Sequence, residues 1–134
     1  MKIKPQRRNT KLPIVQNETP RSSDEAHPVF ALEFLEGDYC VTKCDKEERA
    51  AFAMTLHQLS KESWRTLKQN GRHKGGCEKI PKKQMKFRIP PFFSEDVDCV
   101  IFRFSAMKAM IGFRKDKIYY IVALDRNFTA YKHG

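Results

Sequence analysis

The chain has 134 residues, 26 Lys plus Arg against 16 Asp plus Glu, and a formal net charge of +10. That length suits one domain, and 40% hydrophobic with 31% charged residues gives material for one core and excludes wholesale disorder. No apolar run approaches the roughly 20 residues of a bilayer span, and the basic start MKIKPQRRNTKLPIV is not followed by an uncharged signal-type stretch, so a soluble, cytoplasmic chain with no membrane partner is expected. The positive excess favours a polyanionic partner, either nucleic acid or an acidic protein.

Residues 1–27 hold three of the seven prolines, six basic and three acidic residues, and few apolar positions, and read as a flexible basic tail. LPIV at 12–15 is the one stretch there suited to docking as an edge strand or on a partner. The ordered domain is expected over residues 28–134. Residues 29–41, VFALEFLEGDYCV, alternate apolar and polar around Glu36, Gly37 and Asp38, which predicts a strand or hairpin. Asp45 and Glu48 have capping-box spacing, so a helix starts there, with Phe52, Leu56 and Leu59 on one face. Either Ser60 caps a second helical segment carrying Trp64 and Leu67 and ended by Asn70 and Gly71, or the two segments form one bent helix. Trp64 reads as a core residue.

Residues 71–90, GRHKGGCEKIPKKQMKFRIP, contain seven Lys or Arg and one Glu, so this window supplies +6 of the net charge. Gly75, Gly76, Pro81, Pro90 and Pro91 argue for a loop or irregular strand. Arg72, His73, Lys74, Lys79, Lys82, Lys83, Lys86 and Arg88 are candidate RNA-binding residues: cations track phosphates, and the interleaved Phe87, Phe92 and Phe93 offer faces for bases to stack on.

The last third carries three β-type runs, Val100–Phe104, Ala109–Phe113 and Ile118–Leu124, on links short enough to imply antiparallel neighbours. IYYIVAL is apolar on both faces, as a central strand is. The order predicts an α+β fold: a small, twisted antiparallel sheet with an N-terminal strand, and one or two helices packed on one face. Of the four cysteines only Cys40 and Cys44 lie close together, while Cys77 and Cys99 stand alone, so reduced, mostly buried thiols are expected rather than disulfides or zinc. No metal and no cofactor is called for.

The element order, the block DCVIFRFSAMKAMIGFRKDKIYYIVALDR and the ending from Arg126 to Tyr131 resemble the RelE/ParE-like toxins of bacterial toxin–antitoxin systems over roughly residues 29–134. RelE-type members cleave mRNA. The resemblance implies a RelE-like fold, mRNA and the ribosome as partners, and an acidic antitoxin that silences the chain. It puts Arg103 where the family has a phosphate-contacting lysine and Lys108 near an arginine that neutralises the scissile phosphate. Arg126 matches a catalytic arginine, Tyr131 a C-terminal tyrosine that stacks on or activates the substrate nucleotide, and His133 the histidine of members ending in a His/Tyr pair. Residues 80–98 form a longer insertion than the family pattern, Lys108 stands where Arg is commoner, and the 27-residue tail is extra.

Those residue types suit the chemistry. Metal-independent RNA cleavage needs the ribose 2′-hydroxyl to attack the adjacent phosphorus, with a base to take its proton, an acid for the leaving oxygen and cations on the phosphorane. Histidine titrates near 6.5 and a positioned acid or base contributes roughly 10²- to 10⁴-fold. Arg and Lys supply preorganised positive charge. The expected centre is Arg103, Lys108 and Arg126 on one sheet face with Tyr131 and His133 beside it. Two alternatives stand: a non-catalytic nucleic-acid or ribosome-binding domain, and a ParE-like binder that inhibits a topoisomerase.

Overall fold

A computed structural model describes residues 22–71, 75–94 and 96–132. Arg72, His73, Lys74, His133 and the stretch 1–21 therefore lie outside the described residues. Asp45 starts helix α1, Lys46–Ser60, through the expected capping box. Its carboxylate accepts the Glu48 N–H at 2.7 Å, and the Glu48 carboxylate accepts the Asp45 N–H at 2.8 Å. Two helix-end donors are satisfied reciprocally. Helix α2, Trp64–Gln69, is capped by Ser63 rather than Ser60. Lys61 closes α1 by donating back to its last turn, so the next helix cannot start until the Ser63 hydroxyl accepts the Thr66 N–H at 3.2 Å.

Five strands, β1 (Val29–Ala31), β2 (Glu78–Pro81), β3 (Asp98–Ser105), β4 (Lys108–Lys115) and β5 (Ile118–Asp125), form one sheet in the order β1-β5-β4-β3-β2. The last three contain the runs marked in the sequence, and their pairings with each other and with β2 are antiparallel. The expectation of a wholly antiparallel sheet needs correction: β1 runs parallel to β5, with Val29 opposite Ile118. The chain enters the sheet where β5 begins, because the Ala26 carbonyl accepts the Trp64 N–H at 2.9 Å and the Val29 N–H donates to the Lys117 carbonyl at 3.0 Å. Everything from α1 to β4 then serves as the long crossover a parallel pair requires.

Of the strand or hairpin expected over residues 29–41, a short strand forms, β1 at Val29–Ala31, and no hairpin partner follows it. After Ala31 the chain leaves the sheet edge and divides its apolar residues between the two faces: Leu35 and Val41 pack on the helix side, Phe34 and Tyr39 on the other. Residues 22–27, placed in the tail by composition, belong to the fold. Asp24 pairs with Lys68 at 2.8 Å and Arg114 at 2.7 Å, and these hydrogen bonds, Lys68 first, hold its carboxyl below the usual range.

Two cores flank the sheet. On the helix side Phe52, Trp64, Leu67, Phe102, Tyr119 and Leu124 are buried together. Trp64 is 1% exposed, donates its indole N–H to the Lys117 carbonyl at 3.0 Å, and lies 4.5 Å beneath the Arg114 guanidinium. On the opposite side Phe93, Ile101, Ile111, Phe113, Val122 and Tyr131 form the second core. Residues 82–93, a strap running over that face, supply its cover: Met85, Phe87 and Ile89 pack inward while Lys86 and Arg88 between them are exposed. This is period-two amphipathicity in extended backbone. The four cysteines are free thiols, Cys44 and Cys99 buried and the others half-buried, and burial pushes the Cys99 thiol up to about 12. No helix among the described residues is long and apolar enough to cross a membrane.

Gly112 sits at the irregularity in the β4–β5 register, between Ile111 and Gly112. A Cβ there would lie 2.4 Å from the Tyr120 carbonyl oxygen and 2.7 Å from the Tyr119 ring. Tyr119 is fixed, with no exposed surface and its hydroxyl donating to the Val100 carbonyl at 2.6 Å. Gly112→Ala should therefore destabilise the fold by about 1–3 kcal/mol, the usual range for overpacking. A lowered denaturant midpoint with unchanged slope is the expected reading; an unchanged midpoint would show that the sheet yields at this point.

Candidate nucleic-acid interface

The described candidates divide between the two faces of the sheet. Arg103 alternates with Phe102 and Phe104, which face the helices, so its side chain lies on the strap side. There it donates to the Met107 carbonyl at 3.0 Å, approaches Glu78 at 3.4 Å, and lies close enough to Tyr131 for its charge to act on the phenol. Its Nε is buried without a hydrogen-bond partner among the described residues. Tyr131 is tied to the strap by a bridge to Met85, next to which the Lys86 N–H donates to the Ala130 carbonyl at 2.7 Å. The Tyr131 ring is 3% exposed, and burial outweighs the nearby Arg103 charge to raise its pKa.

Lys108 and Arg126 emerge on the helix side instead, so the three cations expected on one face are not together. The Lys108 ammonium lies 2.6 Å from the Glu48 carboxylate, whose residue caps α1. Arg126 donates to the Asp38 carbonyl at 3.2 Å, and its charge acts on Glu48 as well. Sheet parity explains the split: Lys108 and Arg126 lie two residues from Met110 and Leu124, which pair with each other on the helix side.

Of the described RNA-binding candidates, Lys82 is structural, its ammonium donating to the Phe93 and Ser94 carbonyls at 3.1 and 3.3 Å and closing the strap on itself. Lys79, Lys83, Lys86 and Arg88 are exposed, and none forms an ion pair with an acidic side chain among the described residues. The aromatic residues between them divide by depth. Phe93 is buried and stacked on Phe113 at 4.3 Å, Phe87 leans on Tyr39 at 5.2 Å, and Phe92 is 49% exposed beneath Lys115. The interface is therefore a basic strap on apolar feet, with Arg103 and Tyr131 at its edge.

The sequence reading missed a further feature. A cleft of about 230 Å³ opens between the strap and the loop after β1, lined by Phe34, Tyr39 and Phe87 with Glu36, Asp38 and Arg88. A larger cleft, about 490 Å³, lies between α1 and the part of β3 beyond its pairing with β2 and includes Thr55, Leu59, Phe102 and Met107. No group of three or more His, Cys, Asp or Glu among the described residues is placed to hold a metal ion. No protein-family model, curated protein or solved structure matches the chain.

Glu48 gives the site a pH signature. Its hydrogen bond with Lys108, then that from the Asp45 N–H, holds its carboxyl below the ordinary 4.5. A carboxylate depressed in the folded state contributes stability above its unfolded pKa and loses it as pH falls through the folded value. Glu48→Gln should thus lower stability near neutrality and flatten its decline between about pH 5 and pH 3. Parallel acid slopes in denaturation curves of the two proteins would show that Glu48 is not the group responsible.

Proposed function

We propose that this protein binds single-stranded RNA through the basic strap and, in the manner of RelE-type toxins, cleaves messenger RNA without a metal, an acidic antitoxin silencing it by covering the same cations. One observation carries the reading: three exposed cations of the strap, Lys83, Lys86 and Arg88, form no ion pair with an acidic side chain among the described residues, on a segment bonded to the C-terminal residues that include Tyr131. Phosphates supply the missing counter-charge, and releasing their condensed counterions drives binding. Arg103, beside Tyr131 at the strap's edge, is the cation this reading assigns to a phosphate. Tyr131 and His133 are the groups assigned to the reacting nucleotide, on the strength of the resemblance.

A non-catalytic RNA-binding domain is the second reading, and two observations favour it. Tyr131 is 3% exposed, so its ring must swing out before it can stack on a base. Lys108 is held by Glu48 on the other side of the sheet. One set of proteins separates these readings. Replacing Lys83, Lys86 and Arg88 together by Ala should weaken binding to a uridine-rich oligonucleotide at low salt. It should also reduce the slope of log affinity against log salt by about 2, since each lost single-strand phosphate contact contributes about 0.7. An unchanged slope would remove the strap from the interface. Arg103→Ala should retain binding but abolish cleavage of a translated message in an extract containing chelator, with growth arrest lost in parallel. Binding without fragments from the unsubstituted protein would establish the non-catalytic reading.

A further inference from the structure

The cleft between the strap and the loop after β1 is built unlike the rest of the surface. Phe34, Tyr39 and Phe87 give it aromatic walls, Val122 lies at its floor, and Arg88 stands on the strap side. At about 230 Å³ it is below the roughly 300 Å³ at which drug-sized pockets begin, a size for one planar ring system. Glu36 and Asp38 complete the lining, both exposed, and neither forms an ion pair among the described residues. Two carboxylates beside a polyanion-binding strap repel phosphate, so their place at an aromatic-walled cleft calls for a ligand group that carries hydrogen-bond donors.

A second cleft of about 180 Å³ adjoins the first, shares Asp38 and Tyr39 with it, and is completed by Arg126, Asn127 and Thr129. The wall between them is fixed: the Tyr39 and Thr129 hydroxyls share a hydrogen bond of 3.1 Å, and the Asp125 carboxylate accepts the Thr129 and Ala130 N–H groups at 2.8 and 3.1 Å. Arg126 uses one Nη on the Asp38 carbonyl, and its Nε has no hydrogen-bond partner among the described residues. That Nε is buried, so a phosphate in this cleft meets the charge of the guanidinium that lines it rather than this donor.

We infer that these joined clefts form a guanine-selective nucleotide site, with the base in the cleft lined by Phe34 and the contacting Tyr39 and Phe87 rings, its Watson–Crick edge on Glu36 or Asp38, and its phosphate toward Arg126. Guanine is singled out by donor pattern. Its N1–H and N2–H₂ lie side by side on one edge, and an ionised carboxylate, which only accepts, takes both. Adenine and cytosine set a single amine beside an accepting ring nitrogen, and uracil sets one N–H between two carbonyls, so each turns a lone pair toward the carboxylate. Unstacked bases of single strands are the ones that can enter such a pocket. The site rests on the RNA-binding reading and sharpens it, adding base selectivity to the sequence-neutral strap.

The test measures binding, by fluorescence anisotropy at low salt, of uridine-rich oligonucleotides carrying one central guanosine, adenosine or cytidine. The wild-type chain should prefer the guanosine probe by about tenfold, near the lower part of the range for one bidentate base contact. The Glu36→Gln, Asp38→Asn double variant should lose that preference while binding the other probes as tightly or more tightly, because it has lost two negative charges. A purely electrostatic role for these carboxylates predicts instead an equal gain for every probe, with any guanosine preference intact, and that result overturns the assignment. Equal wild-type binding to all probes overturns the guanine site and leaves the RNA-binding reading standing. No wild-type binding to any probe overturns both. Amide resonances of Gly37 and Tyr39 give a second readout: guanosine 5′-monophosphate should shift them more than adenosine 5′-monophosphate, and equal shifts count against selectivity.

Discussion

A sheet whose long strands are apolar on both faces has to be covered twice, and most of this structure follows from that constraint. β3, β4 and β5 direct Phe102, Met110, Tyr119 and Leu124 to one side and Ile101, Ile111, Phe113 and Val122 to the other. Two short helices can cover only one of those faces. The other is closed by irregular backbone, the loop after β1 and the strap, neither of which has a ladder of its own to hold it. Each is fastened by side chains: Phe93 stacks on Phe113, Lys82 bonds to carbonyls at the strap's far end, and Phe34 and Tyr39 pack under the loop. The burial that closes the second core also builds the clefts at its margin, since two independent segments meeting over one sheet leave a seam.

The same constraint explains how the strap can be basic. Its inward residues, Met85, Phe87 and Ile89, anchor it to the sheet, and extended backbone then points the intervening Lys86 and Arg88 outward. Burial and charge come from alternate positions of one segment. A helix there would spread its cations around a cylinder, and an unanchored loop would lose its ordering entropy on binding.

Much of the fold was legible because its signals are local. The Asp45–Glu48 capping box, the three C-terminal runs and the two-sided apolarity of IYYIVAL are each contained in a few residues, and each appears where expected. What depended on distant partners was harder to read. The parallel pairing of β1 follows from where Ala26 and Val29 meet Trp64 and Lys117, contacts across many residues that no window contains. The site was less legible for a related reason. Arg103, Lys108 and Arg126 all look like cations at strand positions or strand ends, but which side each takes depends on which face the helices choose. Met110 opposite Leu124 sets that choice, and it carries Lys108 and Arg126 to the helix side. The alternation of MKFRI is present in the sequence, although Pro81, Pro90 and Pro91 around it left the segment reading as a loop or irregular strand.

Charge in this molecule is sorted by depth, and the sorting follows from the energetics of burial. A partly buried cation without a partner loses hydration that only a carboxylate or several carbonyls can replace. Arg103, Lys108 and Arg114 accordingly face Glu78, Glu48 and Asp24, while Lys82 and Arg126 bond to carbonyl oxygens. Lys79, Lys83, Lys86 and Arg88 keep their water and need no such partner for the fold to be stable. The net charge of +10 is thus not spread evenly: residues 71–90 supply +6 of it, and the strap's Lys83, Lys86 and Arg88 form no ion pair with an acidic side chain among the described residues. Glu36 and Asp38 add two exposed carboxylates in the cleft that Arg88 also lines, neither in an ion pair among the described residues. Charges of both signs around an aromatic cleft are the arrangement expected when the partner is a ligand that carries both a phosphate and a base.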